Sequence, residues 1–278
     1  MEPLPSTFVT KQESNYRELW FNTYKYPILN IITSLQEGEP ENRKLDFVDI
    51  DAAIVFFTEL IAGLNKEDGI RVYFASPSSD GNVYKDKCGL LTFVFGITIG
   101  IDKADNKTYY SYCNKERTFV KTDEGKARAS VSNYQNIKRG ILFETLSDND
   151  RTKLIRETKH VWFSSEQITQ TLNEMIYQKG KAGGIVTGFG IRFVSYTNLP
   201  YFFPKPVSGA EDRRQRLTIG FTFMNKNRDI GIEDIDSIEF NERLVLTKER
   251  FIGDTFDTGD PTPPPSTGNK AELDISDI

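Results

Sequence analysis

Two arginines with matching surroundings are the first residues in this chain that could do chemistry. Arg71 lies in Gly69-Ile70-Arg71-Val72-Tyr73-Phe74, and Arg192 lies in Gly190-Ile191-Arg192-Phe193. In a strand, each arginine faces the opposite side of the sheet from the isoleucine before it. Two guanidinium groups at related positions can hold a carboxylate or a phosphate through paired N–H donors. Arg71, Arg192 and Tyr73 are therefore the candidate ligand-binding residues. The competing account of each arginine is an ion pair with a carboxylate of its own unit.

Other tempting groups carry less. The run Arg213-Arg214-Gln215-Arg216, near Lys205 and Tyr201-Phe202-Phe203, has the residue types that grip phosphate and stack bases. Glu211 and Asp212 adjoin it, which favours a solvated hairpin tip and makes nucleic acid an unlikely partner. The glycines from Gly180 to Gly190 lack the spacing of a phosphate loop and run from a helix into a strand, the reverse of the order that aims free N–H groups at an anion. His160 is the only histidine, so any Ser-His-Asp or Cys-His pair would have to use it. Asp102 and Asp105, and then Glu233, Asp234 and Asp236, do not match calcium-loop spacing. No catalytic residue, cofactor or metal site is expected.

The elements that must position these residues follow from periodicity. Thr10 and Glu13 form a capping-box pattern, and Tyr16, Leu19, Trp20 and Tyr24 recur at helical spacing, predicting a first helix with one buried aromatic face. Pro27 ends or kinks it. Leu45-Asp46-Phe47 leads to a second helix, capped by Asp49 or Asp51 and apolar almost all round from Ala52 to Leu64, as in a helix buried on several sides. Ile70 to Ala75, Leu90 to Ile101 and Thr108 to Val120 read as strands, antiparallel because no crossover helix separates the first two. Downstream, Ile137 to Leu146 carries a helix, and Val161-Trp162-Phe163 stands where Leu45-Asp46-Phe47 stood. Ser164 or Ser165 caps a one-sided helix with Ile168, Leu172, Met175 and Ile176 in its stripe.

Length and charge bound the whole. A chain of 278 residues fits two units of ordinary domain size better than one core. Its net charge is −5, and residues 254–278 alone hold six acidic side chains against Lys270, which is also −5. The neutral body lacks the broad basic footprint of a general nucleic-acid binder. No apolar run approaches a membrane span, no signal segment opens the chain, and two cysteines, Cys88 and Cys113, suit a reducing compartment. A soluble, cytoplasmic protein is expected.

The order of elements repeats. Asn15-Tyr16 and Asn133-Tyr134 are offset by 118, Phe47 and Phe163 by 116, the Gly-Ile-Arg triplets by 121, and Leu91 and Leu217 by 126. The expected fold is α+β: two tandem helix-helix-β-β(-β) repeats with antiparallel strands, over 8–122 and 126–250, related by a pseudo-two-fold axis. A disordered, acidic, Pro-rich tail follows over 254–278. The unit, a helix followed by the Gly-Ile-Arg-Val-Tyr-Phe strand and the Leu91-Thr92 strand, resembles small uncharacterised bacterial α+β proteins. That resemblance implies no activity. The functional expectation is a non-catalytic intracellular protein-interaction or assembly module with a protein partner, a homo-oligomer being possible. A small anionic-ligand binder or enzyme with a cleft between the repeats, or nucleic-acid binding through 213–216, are the alternatives.

Overall fold

Alternation along Gly69–Ala75 puts Ile70, Val72 and Phe74 on one side of a strand and Arg71, Tyr73 and Ala75 on the other, and all seven residues are buried. Both sides of this strand must therefore be covered. The structure, a computed structural model, describes residues 11–37, 40–77, 89–100, 105–142, 157–181, 184–196, 216–226, 228–230, 255–256 and 260–261. It is a mixed α+β fold built on two antiparallel sheets.

The strands are β1 (Lys44–Asp46), β2 (Gly69–Ala75), β3 (Thr92–Thr98), β4 (Asp105–Cys113), β5 (Thr118–Thr122), β6 (His160–Ser164), β7 (Gly188–Ser195), β8 (Leu217–Asn225), β9 (Arg228–Ile230), β10 (Thr255–Phe256) and β11 (Asp260–Pro261). One sheet runs β11-β6-β2-β3-β4-β5, and the other runs β1-β7-β8-β10, with β9 also on β8. The expected third strand over Thr108 to Val120 is two strands, β4 and β5, joined by a turn in which Arg117 takes a positive φ of 50°. The described residues at the start of the acidic tail, β10 and β11, lie as edge strands on β8 and β6.

Aromatic rings join the sheets directly. Phe93 stacks on Phe193 with centroids 4.3 Å apart, and Phe163 meets Phe221 at 5.6 Å. Helix α3 (Ile50–Ala62) adds Phe56 and Phe57 to this core, Phe57 lying edge-on to both Phe189 and Phe221. Asp49 is its N-cap, accepting from the Ala52 N–H at 2.8 Å. Val55 faces water, while the other large apolar side chains of the helix are wholly or partly buried, as its composition predicts. Helix α5 (Ser165–Gly180) packs beside α3, and Ser164 and Gln167 close a reciprocal capping box at its start.

The remaining helices depart from expectation. Helix α1 (Lys11–Trp20) passes through a π-helical turn (Phe21–Lys25) into α2 (Tyr26–Glu37), so the chain stays helical past Pro27. The widened turn satisfies Tyr26 N–H five residues back, on Phe21 O, just ahead of the proline that lacks a donor. The buried side of this segment is Ser14, Arg17, Phe21, Lys25, Leu29 and Thr33; Tyr16, Leu19 and Tyr24, expected in the core, are exposed. Helix α4 (Glu124–Asn133), capped by Asp123, runs likewise into a π-helical turn (Tyr134–Arg139). Its Ala127 and Val131 cover Tyr73, Ala75, Val94 and Tyr109 on the outer side of the larger sheet.

A short strand also stands between the helices of each half, where none was expected. β1 pairs with β7 of the other half, and β6 pairs with β2 of the first. Each half thus lends its short strand to the sheet of the other. Gly69 and Gly190 sit opposite these visiting strands, and the space is why they are glycines: a Cβ on Gly69 would come within 2.5 Å of the Trp162 ring and of Phe163 O, and one on Gly190 within 2.8 Å of Asp46 Oδ1.

Candidate functional site

The strongest buried polar chemistry is where the strands cross over. Glu41, three residues before β1, is buried: its Oε2 accepts from Lys138 Nζ and, at 2.6 Å, from Thr33 Oγ1, while its Oε1 accepts from the N–H groups of Asn42 at 2.9 Å and Leu91 at 2.5 Å. Glu157, three residues before β6, repeats this. Its Oε2 accepts from Lys25 Nζ, and its Oε1 from the N–H groups of Thr158 at 3.0 Å and Leu217 at 2.5 Å. Asn42 and Thr158 then donate from their side chains to Leu91 O (2.9 Å) and Leu217 O (2.6 Å). Both lysines come from the π-helical turns, and all four charged side chains are at most 4% exposed.

Every bond of this set joins distant parts of the chain or fixes the approach to an exchanged strand. A buried charge pair repays its desolvation only when all its lone pairs and protons are used. Here both carboxylate oxygens are occupied. These residues were missed in the sequence because the partners are more than ninety positions apart. A signal was present nonetheless: Glu41 and Glu157 each stand six residues before Phe47 and Phe163, and Phe21, Lys25, Leu29 and Thr33 recur every fourth residue.

The predicted ligand-binding residues lie apart. Ile70 and Ile191 both enter the core between the sheets, so Arg71 and Arg192 are on the two outer sides and do not share a cleft. Arg192 donates at 2.6 Å to Asp229, a carboxylate of its own unit as the simpler account has it, and at 2.5 Å to Glu18, which lies in 8–122, with Lys44 bridging Asp229 and Asp46 beside it. Burial, only partly offset by Lys44, raises the Asp46 pKa. Bonds at the strand ends show that the two arginines do not hold like places beside the short strands. Phe74 N–H donates to Lys159 O and Phe193 N–H to Arg43 O, both at 3.1 Å, which aligns Phe193 with Phe74 and Arg192 with Tyr73, not with Arg71. By the starts of the π-helical turns, Tyr134 likewise corresponds to Phe21, not to Tyr16.

Arg71 and Tyr73 do meet a third group, His160. In the ladder Arg71 is opposite Trp162 and Tyr73 opposite His160, with the Tyr73 and His160 rings 5.3 Å apart. All three side chains are buried. Burial, aided by the positive charges of Arg71 and Lys159, pushes the His160 pKa down to about 3. Such an imidazole is neutral near pH 7 and far from the pKa that serves proton transfer there. Nearby, Gly96 leaves room for the Tyr109 and Tyr73 rings, each 3.1–3.2 Å from where its Cβ would be.

Of the basic group, Arg216 is buried, and its carbonyl accepts from Ser195 Oγ at 3.0 Å and Tyr196 N–H at 2.9 Å. Lys205, Arg213 and Arg214 lie outside the described residues, as do Asp102, Glu233, Asp234, Asp236, Cys88 and most of 254–278. Cys113 is a buried free thiol. Among the described residues no helix is long and apolar enough to cross a membrane, and no three His, Cys, Asp or Glu side chains gather as metal ligands. Comparison with protein-family models, with curated proteins and with solved structures finds no match.

Proposed function

We propose that residues 8–122 and 126–250 are two copies of one α+β unit related by a pseudo-two-fold axis, and that the chain is a non-catalytic intracellular module for protein interaction or assembly. The observation that carries this reading is the matched pair of buried lysine–glutamate clasps. Charge in the interior is used to lock one half to the other, with both carboxylates saturated by protein donors. Supporting this reading, both halves run helix, short strand, helix and then strands, β2 to β5 in the first and, among the described residues, β7 to β9 in the second. The free Cys113 thiol supports a reducing compartment.

The test is affinity capture from the native cell extract, with the full chain and with a chain lacking residues 254–278 as baits. A partner recovered well above background is the expected result; none recovered with either bait overturns the reading. A thermal-shift screen against nucleotides and acidic metabolites checks the anion-binding alternative, for which stabilisation must vanish in Arg71→Ala or Arg192→Ala.

A further inference from the structure

Each half has two strand edges to close, and the halves close them differently. Strand β4 lies on β3 with Tyr110 opposite Phe95, and its Tyr112 hydroxyl donates to Asp46 O of β1 at 2.6 Å. The counterparts of Phe95 and Asp46 are Phe221 and Trp162. Leu91 and Leu217, each donating to a clasp glutamate, stand four residues before Phe95 and Phe221; Arg43 and Lys159, whose carbonyls accept from Phe193 and Phe74, stand three before Asp46 and Trp162. Phe256 of β10 is opposite Phe221, and Asp260 of β11 is opposite Trp162. Two short pieces near the C-terminus thus do for the second half what β4 does for the first.

Backbone alternation makes both contacts hydrogen-bonded ones. Phe193 N–H points to Arg43 O, away from β8, so Thr222, opposite Gly190, turns its N–H and C=O to β7, and Phe221 turns its own outward to Phe256. Phe74 N–H points to Lys159 O, so Val161, opposite Val72, turns to β2, and Trp162 turns outward to Asp260. Pro261, which has no N–H, falls opposite Val161, where none is needed. The substitute is slight, however. β4 runs nine residues, with Tyr109, Tyr110 and Tyr112 buried and β5 beyond it, whereas β10 and β11 pair through two residues each. Pairing so short opens by local fluctuation.

We propose that β10 and β11 are a releasable strap over a strand-acceptor site, and that the edges of β8 and β6 pair with an extended segment of the protein partner when the strap lifts. What these edges offer is main-chain N–H and C=O at Phe221 and Trp162, and an extended peptide is the ligand that satisfies them. Left bare, such edges pair with other chains. The strap, tethered to the same chain, sits at high effective concentration and sets how tightly a partner must bind to replace it.

This inference rests on the chain being an interaction module, and the experiments separate the two. In the full chain, Phe256→Pro/Asp260→Pro removes the two strap donors, while Thr255→Pro changes a position that donates nothing to β8. Amide exchange followed by NMR is expected to quicken about tenfold or more at Phe221 and Trp162 in the double variant and to keep the parent rate in Thr255→Pro. A synthetic peptide of residues 253–262 is expected to bind the double variant with a Kd on the order of 0.1 mM and the parent at least ~10-fold more weakly, and the same peptide carrying Phe256→Pro/Asp260→Pro is expected to bind neither. Exchange rates that do not differ, or a peptide that does not bind the double variant, overturn the proposal. So does a double variant that no longer melts cooperatively, which makes the strap a permanent strand. In capture from the native extract, a partner held more strongly by the double variant than by the parent agrees with the acceptor site. Equal capture by both leaves the module reading standing and overturns the site, and no partner with either bait brings down both.

Discussion

Lys25 and Lys138 occupy matching places in the two halves: each ends or nearly ends a π-helical turn, each is buried, and each reaches a glutamate across the chain. One helical turn earlier the match breaks down on the outer side. Trp20 precedes Phe21, whereas Asn133 precedes Tyr134, and Asn133 turns back to donate to Ser76 O at 2.9 Å. The inner sides are held alike because each completes the sheet of the other half. The outer sides are under no such constraint, and there the residues differ.

Removing one clasp is the largest way to break this comparison. Glu157→Ala and Glu41→Ala each strand a buried lysine and two backbone N–H groups, and each is expected to lower stability by about 3–5 kcal/mol, measured by urea unfolding. The two losses should agree to within ~1 kcal/mol; a difference larger than that would show that only one clasp matters. Replacing both members, as in Lys25→Met/Glu157→Leu, should recover most of the loss.

The glycines sharpen it next. Gly69→Ala must push apart the Trp162 ring and a backbone carbonyl and should cost about 1–3 kcal/mol. Gly190→Ala meets the end of a side chain, Asp46, and should cost under ~1 kcal/mol. Equal melting shifts for the two would contradict this.

His160, the only histidine, has no counterpart in the first half, where β1 begins with Lys44. Because its folded pKa, about 3, is below its unfolded value of about 6.5, the stability it contributes is present above pH ~6.5 and is lost as pH falls toward ~3. Between about pH 6.5 and 5, before carboxylates titrate, unfolding free energy should fall by about 1.5–2 kcal/mol. His160→Gln should flatten that slope. The smallest effect is expected at Arg192, whose pairs with Glu18 and Asp229 are part-exposed: Arg192→Ala should cost about 0.5–1 kcal/mol, less in high salt.

Local signals were legible in the sequence where one residue's neighbours along the chain decide its state. A cap at Asp49 or Asp51 and at Ser164 or Ser165, of which the first of each pair is the cap, the buried α3, and the strands at Gly69 and Thr92 followed from spacing and residue type. What was not legible depends on distant partners. Lys44–Asp46 has neither the length nor the composition of a strand and is one only because β7 lies beside it. The aromatic side of α1 reads as core by every rule of amphipathicity; that Lys25 and Arg17 are inside depends on Glu157 and Tyr196, more than 130 residues away. The Gly-Ile-Arg likeness was real as a pattern, yet its register is off by two, because a period-two strand tolerates an even slip without turning a side chain over.

The lent strands also decide when this chain can finish folding during its synthesis. As residues leave the ribosome, β2 appears long before β6, and β1 waits through about 140 further residues for β7. The first half must hold an open sheet edge and an unpaired Glu41 until Lys138 emerges. Until β6 emerges, the unpaired edge of β2 is open to pairing with another chain, which makes that interval the one most exposed to misassembly.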